Sequence, residues 1–202
     1  MNTVLIVEDS SQLADSVAHQ LVTWHRFDVT CVRDPHAMRA ELARRPYDVV
    51  LIDLLFQHLN DDFEERRKAH RVRLSSPSLL ITGLTAVQTV QEVAPTTAMV
   101  VWTLGEANRR LHILFAYEDL GQRTFCSKNS GREHADAVAE SLRCAVNRVS
   151  YVDPVLNAYL PSRGAPAIGS TLLRDESKRA IWRAIALGAH TRAAIAGIWL
   201  PM

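Results

Sequence analysis

Five short strand-like stretches constrain this chain most, each breaking off at a polar residue and followed by a stretch with helical spacing. Val4-Leu5-Ile6-Val7 runs straight into Glu8-Asp9, and Val49-Val50-Leu51-Ile52 runs into Asp53. A run with no polar alternation has no solvent face, so each reads as a strand covered on both sides. Phe27–Val32, Ala98–Trp102 and Thr124-Phe125-Cys126 complete the set. The intervening stretches predict helices. Ser11–Trp24 repeats Leu13, Val17, Leu21 and Trp24, and Asp34-Pro35 caps a helix reaching Leu42 with proline in its first turn. Leu84–Val93, Glu106–Tyr117 and Glu133–Val149 follow, the last offering Ala137, Leu142, Ala145 and Val149 to a buried face. Alternation of this kind implies an α/β fold: a doubly wound, five-stranded parallel sheet with right-handed crossovers and helices on both faces.

In such a sheet the functional crevice lies beyond the carboxyl ends of the strands, where the strand order reverses. Those ends carry Glu8 and Asp9, Asp53, Thr103, and Ser127-Lys128. Three acids from two strand ends suit hard Mg²⁺, which takes oxygen ligands and is held by few carboxylates together with phosphate oxygens. Asp53 is then a competent nucleophile for a phosphoryl group, forming an acyl phosphate once positive charge offsets the incoming negative charge. Lys128 supplies a point charge and the Thr103 hydroxyl a hydrogen bond after transfer. Taken singly, each residue has a plainer reading: helix cap, turn residue, surface charge or core aromatic. Their joint occurrence in this order is what carries weight.

Together these segments resemble the receiver domain of two-component response regulators. Val4–Asp9 is similar to that family's metal-binding acidic pair, Asp48–Asp53 to its phosphoacceptor strand, and Val100–Thr103 to its switch-hydroxyl strand. Phe125-Cys126-Ser127-Lys128 resembles the segment with its rotating aromatic and its lysine. The resemblance implies a flavodoxin-like receiver over residues 1–150. It further implies Asp53 as phosphoacceptor, Lys128, Thr103 and Phe125 as its partners, and Mg²⁺ held by Glu8, Asp9, Asp53 and the Leu55 backbone carbonyl. A sensor histidine kinase is the implied donor and a homodimer the implied assembly. The receiver would catalyse only its own phosphoryl transfer rather than act as an enzyme. Leu54-Leu55-Phe56-Gln57 stands where that family carries a Met-Pro pair, and the charged stretch at about 57–80 reads as an insertion beside Asp53.

Composition narrows the rest. A net charge of +1 gives the whole molecule no bias toward nucleic acid or membrane. Three cysteines without metal-type spacing fit free thiols in a reducing cytosol. The N-terminus lacks the basic and apolar regions of a signal peptide, and no apolar run reaches spanning length, so a cytoplasmic protein without membrane association is expected.

Beyond the receiver, 151–171 reads as a linker helix and linker, with Val152-Asp153-Pro154 opening a short helix through Leu160. Residues 172–202 then resemble the start of a NarL/LuxR-type helix-turn-helix module. Arg174–Ala186 is helical, with Ile181, Trp182 and Ile185 on one face, Gly188 as terminator, and Thr191 capping a helix containing Ile195 and Trp199. Arg174, Lys178, Arg179, Arg183 and Arg192 form a basic set suited to phosphates. The sequence stops about where the recognition helix of that module should begin. The expectation is either a shortened transcription regulator that binds DNA in its longer form, or a tail turned to dimerisation or protein docking. Three functions are therefore weighed: a phosphorylation-controlled transcription regulator, a receiver acting through protein contacts alone, and a hydrolase using Asp53. The hydrolase lacks a second acid two residues beyond Asp53 to act as general acid.

Overall fold

A computed structural model describes residues 1–56, 82–106, 109–129, 134–161 and 175–186. The expected insertion at 57–80 lies outside them, as do Glu133, most of the linker, Arg174, and everything from Leu187 on, including Gly188, Thr191, Arg192, Ile195 and Trp199.

Six parallel strands form one sheet in the order β2-β1-β3-β4-β5-β6. They are β1 (Thr3–Val7), β2 (Asp28–Val32), β3 (Val49–Asp53), β4 (Ala98–Thr103), β5 (Thr124–Ser127) and β6 (Tyr151–Val152). Between and after them run α1 (Ser11–His25), α2 (Pro35–Arg44), α3 (Gly83–Val93), α4 (Arg110–Glu118), α5 (His134–Val146) and α6 (Glu176–Ala186). The parallel α/β fold expected from the alternating pattern is present, with one strand more than the five expected.

The uninterrupted apolar runs have a direct cause. Successive side chains of a strand point to opposite faces, and here both faces are covered. Val4, Ile6, Val49, Leu51, Val100 and Trp102 pack on one side with α1 and α5 through Ala14, Val17, Leu21, Val138 and Leu142. Leu5, Val7, Val50, Ile52, Val101 and Phe125 pack on the other with α2, α3 and α4 through Met38, Leu84, Val87, Val90 and Ile113. Each such fully buried aliphatic side chain contributes about 1.5–3 kcal/mol relative to exposure.

Two of the expected helix faces need correction. On α1 the inward residues are Ala14, Val17 and Leu21, while Trp24 is 66% exposed. The apolar stripe is completed by a small alanine, which lets the helix approach the sheet. On α5 the helix ends at Val146, and Val149 beyond it is exposed. Asp34 caps α2 as its position before Pro35 suggests, its Oδ1 accepting from the Ala37 amide at 2.7 Å.

Residues 151–160 do not behave as a spacer. Tyr151-Val152 pairs with β5, and Pro154–Tyr159 forms a 3₁₀ turn that buries Leu156 completely in the α2–α4 face of the core. Asp153 caps that turn through the Val155 amide at 2.9 Å. A two-residue edge strand carries almost no periodicity, which is why it escapes a sequence reading.

α6 rests on α4. Trp182 meets His112 edge-on with ring centroids 6.2 Å apart, and Arg183 bonds Asp119 at 2.6 and 2.9 Å. Of the face expected there, Trp182 packs inward beside a buried Ala184, whereas Ile181 is 38% exposed and the Ile185 side chain lies outside the described set. Arg183, counted among the phosphate-facing bases, is thus engaged by Asp119.

Candidate functional site

The carboxyl ends of β1 and β3 are neighbours across the point where the strand order reverses. Chain direction therefore brings Glu8 and Asp9, just past β1, against Asp53, the last residue of β3. Oxygen atoms of all three carboxylates lie within 4.8 Å of one another, and the residues are only 1–2% exposed. Lys128, one residue past β5, reaches across: its Nζ lies 2.5 Å from Glu8 Oε2 and 2.9 Å from Asp53 Oδ1. Backbone amides add to this. Ser10 N–H donates to Glu8 Oε1 at 3.1 Å and Leu55 N–H to Asp53 Oδ1 at 3.3 Å.

Three buried carboxylates against one ammonium leave excess negative charge in a poorly solvated place, and Glu8 and Asp53 respond. Burial first, and the neighbouring Asp53 second, push the Glu8 carboxyl up to about 7, against the opposing pull of Lys128. Burial likewise raises Asp53, with Lys128 and the Leu55 amide pulling the other way. A divalent cation would remove this tension, and an all-oxygen donor set at these separations matches a hard ion. Glu8, Asp9 and Asp53 would hold it.

The carboxylates and Lys128 line a cavity of about 260 Å³ together with Ser10, Leu13, Leu55, Leu104 and Arg109. Thr103 is adjacent but does not line it. Its carbonyl accepts from the Lys128 amide at 2.9 Å, while its hydroxyl is fully buried without a hydrogen-bond partner among the described residues. Phe125 is fully buried in the α2–α4 face, tilted against Tyr117 at 6.3 Å. Of the expected site residues, the structure thus joins Glu8, Asp9, Asp53, Lys128 and Leu55, and sets Thr103 and Phe125 behind them.

Solved structures share this architecture. The model overlaps a two-component response regulator of the LuxR family from Aurantimonas with a TM-score of 0.59 at 11% identity, covering 79% of this chain and 94% of that one. It overlaps the response regulator RcsB in complex with DNA with a TM-score of 0.56 at 14% identity, covering 98% and 97%. The isolated receiver domain of RcsB from Salmonella enterica serovar Typhimurium is covered completely, at 15% identity and a TM-score of 0.53. The chain has the receiver fold.

Sequence relatives are also found over part of the chain. The sensory transduction protein RegX3 of Mycobacterium tuberculosis is 38% identical over 83 residues, and that of Mycolicibacterium smegmatis 37%. These matches take in 41% of this chain and 35% of each relative, so the chain spans about a third of the curated relatives it matches. No protein-family model matches it.

Three residues around the site escape the sequence pattern. Gly83 opens α3 directly against the end of β3, where an added Cβ would lie 1.9 Å from the Asp53 carbonyl oxygen. Its amide donates to the Leu54 carbonyl at 2.9 Å. Trp102 lies beneath Lys128, whose Nζ stands 4.8 Å from the ring centroid, and stacks on His134 at 5.5 Å. Arg109 is 5% exposed, with its Nε 3.2 Å from Glu106 Oε2. A glycine at the start of a helix was a visible signal; nothing local distinguishes Trp102 or Arg109 from core and surface residues.

Proposed function

We propose that this chain is a two-component response regulator that accepts a phosphoryl group on Asp53 from a sensor histidine kinase. The observation that carries the reading is the meeting of Glu8, Asp9 and Asp53 within 4.8 Å, with Lys128 bonded to two of them. Asp53 Oδ1 is engaged by Lys128 and the Leu55 amide, so Oδ2 is the attacking oxygen. It forms the new P–O bond as the P–N bond of a donor phosphohistidine breaks, and the departing imidazole takes up a proton. Bound Mg²⁺, held by Glu8, Asp9, Asp53 and the Leu55 carbonyl, would offset charge on the transferring group. Lys128 turns from Glu8 toward the phosphoryl oxygens. The buried Thr103 hydroxyl, which lacks a partner among the described residues, donates to the same group, and Phe125 follows it in the core.

The output assigned to this event is control of transcription by the region after residue 161, as a homodimer. The overlap with RcsB bound to DNA over 98% of this chain supports that assignment. A second reading, a receiver working through protein contacts alone, draws on the docking of α6 on α4, which occupies Arg183 in an internal ion pair. Acetyl phosphate with Mg²⁺ tests the acceptor. The expected result is a covalent phosphoryl adduct in the wild type and its loss in Asp53→Asn; an equal adduct in both, or none in the wild type, overturns the assignment. Duplex binding before and after activation, with its salt slope, separates the two outputs.

A further inference from the structure

We propose that Arg109 is a phosphoryl-binding residue that changes partners, leaving Glu106 at rest for the phosphoryl oxygens on Asp53 once that residue is modified. This deepens the phosphoacceptor reading and rests on it.

Four observations converge. Arg109 lines the same cavity of about 260 Å³ as Asp53, Leu55 and Lys128. Its side chain is only 6% exposed, so the guanidinium has been taken largely out of water. What it receives in return is modest: one ion pair from Nε to Glu106 Oε2 at 3.2 Å, to a carboxylate that is itself 46% exposed. Lys128, meanwhile, is already shared between Glu8 and Asp53.

Charge decides what the guanidinium is for. Three carboxylates balance one ammonium and one divalent cation. Conversion of Asp53 to an acyl phosphate adds about one negative charge, and neither of those two cations remains to meet it. Arg109 does, and its planar fork of donors suits a phosphoryl group better than a single carboxylate oxygen. Glu106 loses little on release because it is half in water already.

The exchange has a mechanical consequence. Arg109 immediately precedes α4, and its own amide is tied to the Glu106 carbonyl at 3.0 Å. Drawing its side chain toward Asp53 tightens the start of α4, the helix that carries α6 through His112–Trp182 and Asp119–Arg183. Phosphorylation is thereby felt at α6 through one side chain.

Beryllofluoride titrations of the full chain in saturating Mg²⁺, followed by calorimetry and fluorine NMR, test this in the wild type, Arg109→Ala, Arg109→Lys and Glu106→Gln. Arg109→Ala should weaken beryllofluoride about 10- to 100-fold, the loss expected of a charge-assisted hydrogen bond, while Mg²⁺ alone binds at least as tightly as before. Arg109→Lys should retain part of the affinity. Glu106→Gln should tighten beryllofluoride by removing the competitor, the opposite sign to Arg109→Ala. A merely structural Arg109–Glu106 pair would move both variants in the same direction, and that result overturns the proposal. So does an Arg109→Lys variant that folds and binds as the wild type does while Glu106→Gln is also unmoved. A wild-type chain that takes up no beryllofluoride overturns the phosphoacceptor reading and this proposal together.

Discussion

Burial of ionised carboxylates at this site costs stability at neutral pH, and the size of the effect follows from Glu8. Its carboxyl is raised from an ordinary 4.5 to about 7. Between those values the folded chain keeps a proton that the unfolded chain has lost, so stability falls as pH rises. The contribution is present in full below pH 4.5 and is gone once pH passes about 7. A displacement of that size corresponds to about 3 kcal/mol. Asp53, raised for the same reason of burial, acts in the same direction. Mg²⁺ held by the ionised carboxylates, as proposed above, should abolish the loss. Urea denaturation across this pH range, with chelator and with excess Mg²⁺, measures it. Glu8→Gln provides the reference: it removes that titration and should leave a flatter profile in chelator, so that the difference in slope reports Glu8 together with its coupling to Asp53. Equal slopes in wild type and Glu8→Gln, or a chelated wild type that gains stability relative to the variant as pH rises, would refute the account.

Three further outcomes are expected. Gly83→Ala forces a Cβ into the Asp53 carbonyl, so α3 must retreat from β3; a loss of about 1–3 kcal/mol with weakened Mg²⁺ binding should appear in thermal melts with and without the ion. Thr103→Val removes a buried hydroxyl that has no partner among the described residues. It should stabilise the resting chain by about 1 kcal/mol yet lose the extra stabilisation that beryllofluoride confers, both read from the same melts. Asp34→Ala deletes the cap on the Ala37 amide and should cost about 1 kcal/mol, with beryllofluoride affinity unchanged in the same calorimetric titration.

Much of the fold is legible because a two-faced strand has to be apolar at every position. Val4–Val7 and Val49–Ile52 declare themselves in this way, and the acids that end them mark the strand tips where a site can form. Helix faces are less legible where small residues do the packing. Ala14 on α1 and Ala135 and Ala139 on α5 are buried, whereas the larger Trp24 and Val149, which weigh more in any periodicity, are exposed. β6 is invisible for a different reason: two residues hold no pattern, and only the free edge of β5 makes Tyr151-Val152 a strand. The site divides along the same line. Glu8, Asp9, Asp53 and Lys128 stand at strand ends and can be named in advance, but Arg109 enters through a loop whose path no spacing predicts.

Sequence alone therefore determined that the chain alternates strand and helix and that its acids fall at strand ends, because periodicity and burial are local properties of consecutive residues. Only the tertiary structure decided that β1 and β3 lie side by side, which is what turns two adjacent acids and a third far along the chain into one cluster. The place of Arg109 in the cavity that Asp53 also lines, and the docking of α6 on α4, belong to that second class. Each depends on distances between segments that share no local pattern, and those distances are set by how the helices close over the sheet.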